Sequence, residues 1–185
     1  MGIATNAKLT SQAAGLKYKE LFLEAVAEYK NKWRFVSLYR ILEHGCLFEI
    51  FQRLSVAFFS APKDSLKIAQ DCVQSELKQF LSFVEQASLQ TQFESLFDQF
   101  EAAMAGGNQF AIAVEHSIQQ NDQKNQGVGR WKAGVVVCYK IRCAIVHAGL
   151  SAPIFDAYPD GSFLLEALLP SLESTALSFL GVTIL

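Results

Sequence analysis

The stretch Tyr139-Lys140-Ile141-Arg142-Cys143-Ala144-Ile145-Val146-His147-Ala148-Gly149 sets an arginine and a histidine five residues apart in an apolar helical run. An α-helix turns by about 100° per residue. On that geometry Val135, Cys138, Ile141, Ile145 and Ala148 fall on one stripe, which suits a helix packed on its own domain. Val136, Tyr139, Cys143, Val146 and Leu150 form a second stripe on nearly the opposite side. Arg142 and His147 flank this second stripe, roughly 140° apart around the axis. A helix with two apolar sides belongs in a bundle.

The rest of the chain carries the same periodicity. Residues 11–30 read as an amphipathic helix through Leu16, Leu21, Ala25 and Tyr29. The segment from Trp33 to Phe59 reads as a long helix, apolar on most sides and therefore central. Ser60-Ala61-Pro62 stops it, since proline cannot continue a helix and restricts its predecessor. Asp64 or Ser65 is expected to cap one further helix through Leu77, Phe80 and Val84. Another carries Phe93, Leu96 or Phe97, Phe100 and Met104 up to Gly106-Gly107. Residues 109–119 predict a short helix, and Gln119 to Gly129 a polar loop. Trp131 to Ala148 is the motif helix, capped by Gly149. After a loop at 150–162, Pro170 is expected to open a last helix through Leu180. Two-residue strand alternation, repeats and linkers are missing. The expectation is an all-α, compact bundle of five to seven helices, with residues 1–185 as one domain.

Composition bounds the function. Hydrophobic residues make up 51% of the chain, with 15 Phe, while charged residues are 18% and the net charge is −2. So apolar a surface predicts partial burial in an oligomer. The weakly acidic balance disfavours extended nucleic-acid binding and leaves room for a small phosphate site. Cys46, Cys72, Cys138 and Cys143 make no Cys-x-x-Cys or zinc pattern and predict reduced core thiols in a cytoplasmic protein. The N-terminus lacks the basic-then-apolar order of a signal peptide. Asn6 stands where myristoylation wants Ser or Thr. Charges at Arg34, Arg40, Glu43, His44, Glu49 and Arg53 interrupt the Trp33–Phe59 run, so no membrane span is expected.

Arginine binds phosphate oxygens, and histidine moves a proton near neutral pH. Two readings fit Arg142 and His147. In one, two copies of the motif helix pair through Val136, Tyr139, Cys143 and Val146, bringing two Arg142/His147 pairs to one cleft. In the other, the helix is buried in a single chain. Arg142 then pairs with a carboxylate such as Glu43, and His147 caps the helix C-terminus. Arg40 and Glu43, at i and i+3, predict a local ion pair. Alternatively, Glu43 or Arg40 reaches the cleft and orients Arg142. His116 reads as a solvated surface residue, and Lys124 and Arg130 as cations of a solvated loop.

The run Tyr-Lys-Ile-Arg-x-x-Ile-Val-His-Ala-Gly resembles the signature helix of HEPN domains, most closely the Apea-like group. Those families carry an arginine, four to six intervening residues and a histidine, near the end of a late helix. The resemblance implies a helical bundle that dimerises through the motif helices, and a metal-independent endoribonuclease of toxin, phage-defence or RNA-processing systems. It implies that His147 exchanges protons with the ribose 2′-hydroxyl or the leaving oxygen, and that Arg142 holds the scissile phosphate. Cys143, Tyr139, Glu43 and Arg40 would support them. No metal and no cofactor are expected. The partners implied are RNA or a nucleotide, a second copy, and an antitoxin or operon-encoded protein. The alternative is a non-catalytic HEPN module that binds a nucleotide, RNA or a protein. Two departures stand out: Cys143 follows the arginine where active members carry a polar residue, most often Asn. Gly149 replaces the tyrosine of members paired with nucleotidyltransferase antitoxins.

Overall fold

The computed structural model describes residues 8–9, 16–74, 76–121, 129–147 and 153–183. Eight α-helices account for nearly all of them: α1 (Leu16–Ala27), α2 (Asn31–Ser60), α3 (Pro62–Gln74), α4 (Glu76–Gln86), α5 (Gln90–Ala105), α6 (Gln109–Asn121), α7 (Arg130–Val146) and α8 (Gly161–Phe179). A single 3₁₀ turn, Phe155–Ala157, lies between α7 and α8. One antiparallel pair of two-residue strands, β1 (Lys8–Leu9) and β2 (Val182–Thr183), sets Lys8 opposite Thr183. The fold is an all-α, compact helical bundle.

Helix α5 is the centre, packed between α7 and α8, while α2 lies against α1, α3 and α8. Phe93, Leu96 and Phe100 of α5 are fully buried with Val135, Cys138 and Ile141 of α7 and Leu165, Leu168 and Leu172 of α8. The core-facing stripe read on the motif helix is therefore buried up to Ile145, which is half-buried; Ala148 lies outside the described residues. Gly134 lets α7 approach α5 closely, because a Cβ there would collide with the Phe93 carbonyl. Helix α5 ends through Gly107, whose φ of +83° is a left-handed conformation that glycine adopts freely.

Three expectations are corrected. The described residues form eight helices instead of five to seven; the stretch expected as one helix from Ser65 to Val84 is described as α3 and α4, on either side of residue 75, which lies outside the described residues. The first of the two begins at Pro62, ahead of Asp64, with proline at the first helical position, where its missing N–H costs nothing. Pro170 lies inside α8 rather than opening it. It lies on the exposed side of the helix, as does Glu166 one turn earlier. Third, α2 is central only as far as Cys46: from Leu47 to Ser60 none of its residues is buried.

Candidate site at the end of the motif helix

The core stripe of α7 fixes the rotation of that helix and turns Arg142 toward α2. The Arg142 side chain retains 17% of its exposure and sits over the Tyr39 ring, 5.9 Å from the centroid. One guanidinium nitrogen, Nη2, donates to Glu43 Oε1 at 3.1 Å. The other, Nη1, lies 2.8 Å from His147 Nε2. An arginine can only donate, so Nε2 accepts and carries the lone pair, and the ring proton sits on Nδ1. His147 occupies the C-cap position of α7 and is exposed; its backbone N–H donates to the Cys143 carbonyl at 2.8 Å. The arginine thus joins a half-buried carboxylate on one side to an exposed imidazole on the other.

A second carboxylate completes the group. Glu76, the first residue of α4, accepts from the Tyr139 hydroxyl at 3.5 Å and shares a hydrogen bond with Glu43. Two acids therefore face one guanidinium. Burial raises the Glu43 carboxyl above its ordinary range; Arg142 opposes the shift, and Glu76 adds to it. Burial works against the Arg142 charge, but Glu43 and then Glu76 outweigh it and hold the guanidinium more firmly protonated. Tyr139 is pushed up to about 12, first by burial and then by Cys143 and Glu76. Beside the ion pair lies a cavity of about 240 Å³, walled by Tyr39, Glu43, Leu47, Ile50, Glu76 and Phe80, among others.

The candidates read from the sequence divide as follows. Arg142, His147, Glu43, Tyr139 and Cys143 come together. Arg40 is exposed and only weakly steadies the Glu43 charge from a distance; the close ion pair expected between Arg40 and Glu43 is replaced by Glu43–Arg142. Among the described residues Arg40 has no ion-pair partner. His44 contacts Tyr18 instead, edge to face at 5.1 Å, and His116 is exposed on α6. Arg130 is held by Asp98 and Glu101 of α5. Cys46 and Cys138 are buried, and burial pushes the Cys138 thiol far up; Cys143 is half-buried. Lys124, Gly149 and the side chain of Cys72 lie outside the description. Of the second stripe on α7, Val136 is buried within the chain at 7% exposure, Tyr139 and Cys143 are half-buried, and Val146 is 42% exposed. Glu76 escaped notice because nothing in its neighbourhood marks it as other than a surface acid; only the start of α4 brings it to Glu43.

Among the described residues no group of three or more His, Cys, Asp or Glu is placed to hold a metal ion, and no helix is long and apolar enough to cross a membrane. Comparison with protein-family models, with curated proteins and with solved structures finds no match.

Proposed function

We propose that the chain is a metal-independent endoribonuclease of HEPN type, in a toxin, defence or RNA-processing role, with Arg142 and His147 at its centre. The observation that carries this is the 2.8 Å contact between Arg142 Nη1 and His147 Nε2 at the exposed end of α7. A phosphate oxygen entering there competes for Nη1 and releases Nε2. Nε2 then takes the proton of the ribose 2′-hydroxyl, and the 2′-oxygen attacks phosphorus. The bond to the 5′-oxygen breaks, leaving a 2′,3′-cyclic phosphate, and the departing oxygen takes a proton from water. Arg142 stabilises the charge that grows on the phosphate, and Glu43 keeps the guanidinium in place for it. An antitoxin or operon-encoded partner would hold this centre in check.

The test is cleavage of a mixed RNA pool in EDTA by wild type, Arg142→Ala and His147→Ala. Wild type should leave 2′,3′-cyclic ends. Each variant should lose about 10²–10⁴-fold in rate, the usual worth of a positioned general base or charge stabiliser. Equal activity in all three sinks the proposal. The second reading is a non-catalytic module that binds a nucleotide, RNA or a protein. It is favoured by Cys143, a weak donor beside the arginine, and by the two carboxylates that already face Arg142. On that reading wild type cuts nothing, yet binds RNA or nucleotide with an affinity that Arg142→Ala lowers.

A further inference from the structure

The second half of α2 carries a feature that the site does not use. Leu47, Phe48, Phe51, Phe58 and Phe59 are all exposed, Phe51 at 68% and Phe59 at 86%. At about 100° per residue they share an arc roughly 120° wide and about 18 Å long. The one other side chain inside the arc is Ser55, whose hydroxyl donates to the Phe51 carbonyl at 2.9 Å and so needs no water. The charges of this half lie elsewhere on the helix: Glu49 pairs with Arg53 at 3.6 Å, and Arg53 reaches Gln79 of α4.

We propose that this stripe is the surface through which two copies of the chain pair. With ~200 Å² for each large side chain when fully exposed, the five residues leave roughly 650 Å² of apolar surface open. That exceeds the patch of about 300–600 Å² that a typical monomer shows. It approaches the ~800 Å² per partner of a standard stable interface, with the polar rim adding the rest. A stripe without charge is complementary to itself, so a two-fold axis crossing near Ser55 sets phenylalanines of one copy against those of the other. Ser55 is small and sits mid-stripe, where two helices must come closest. The stripe's borders, Leu54 and Gln52, hold no cation of the kind an anionic membrane surface attracts. Leu47 belongs both to the stripe and to the wall of the cavity beside Glu43. A second copy therefore stands at the rim of that cavity. The pairing does not depend on the RNA chemistry proposed above.

Sedimentation equilibrium on wild type, Phe51→Glu, Phe59→Glu, and the milder Phe51→Gln and Phe59→Gln tests it, with circular dichroism to confirm folding. Wild type should sediment at twice the 20.5 kDa chain mass. Each glutamate variant should raise the dimer dissociation constant by at least about 30-fold, and the glutamine variants by less, with helicity unchanged. Val146→Glu, on the motif helix, should leave the dimer in place. A monomeric wild type overturns the proposal, including one that instead binds neutral phospholipid vesicles. So does a dimer that Val146→Glu breaks and the stripe variants do not.

Discussion

The two halves of α2 have much the same composition and opposite surroundings. From Phe35 to Cys46 the helix buries Phe35, Leu38, Tyr39, Ile41 and Leu42 almost completely. From Leu47 to Ser60 it holds three phenylalanines and a leucine with more than half of their surface in solvent. The boundary is physical. Phe179, the last residue of α8, packs over Gly45, where a Cβ would strike its ring. Beyond that point α8 no longer covers α2. Hydrophobicity along a helix records that something covers it; the chain's own cover stops where its neighbours stop. The first half gives Glu43 a firm base, and the second offers a surface to another molecule.

The sharpest way to break this contrast is to truncate one phenylalanine in each half. Phe35→Ala should cost about 3–5 kcal/mol, the range for a fully buried aromatic. Phe51→Ala, measured at dilutions where copies do not associate, should stay within about 0.5 kcal/mol. Urea unfolding of both variants checks this; equal losses would mean that the chain itself covers the second half of α2.

That contrast also marks how far the sequence could be read. The core stripe of α7 was legible because Val135, Cys138 and Ile141 keep a strict helical period and face one side. The approach of Arg142 to Glu43 was legible because a cation in an apolar helix wants a carboxylate, and Glu43 lies in the most apolar segment. The failures have one cause. The arrival of Glu76 at Glu43 and the bare second half of α2 are set by contacts between elements, and local periodicity does not carry them. Pro170 misled for a related reason. Pro170 lies on the exposed side of α8, beside the equally exposed Glu166, where water is at hand for the carbonyl that proline leaves without a donor, and nothing near Pro170 in the sequence says so.

A smaller effect separates two residues within the first half. Glu43 is half-buried against Arg142, whereas Arg40, one turn away, points into solvent. Glu43→Ala deprives a largely buried guanidinium of its nearest carboxylate and should cost about 1–3 kcal/mol. Arg40→Ala should change stability by less than about 0.5 kcal/mol. If both substitutions cost the same in urea unfolding, the local Arg40–Glu43 pair expected from i, i+3 spacing exists in solution.

The smallest effect concerns what Glu43 is when the chain is folded. Its carboxyl is raised above the ordinary 4.5, because burial and the neighbouring Glu76 outweigh the pull of Arg142. The unfolded chain therefore releases this proton at a lower pH than the folded chain does. Below pH 4.5 both states hold it and its contribution to stability is fully present; that contribution is lost as pH rises through the folded value. Glu43→Gln imitates the protonated acid, accepting from Arg142 and donating to Glu76, and cannot titrate. The stability of wild type minus that of Glu43→Gln should therefore fall as pH rises from 4.5 toward neutrality. Urea midpoints of the two proteins across that range measure the difference directly, with the other carboxylates cancelling. A difference that rises instead would mean that Arg142 dominates and Glu43 is held below its ordinary value. The two acids would then act as a simple counter-charge to the arginine, and the guanidinium would be less available to a phosphate.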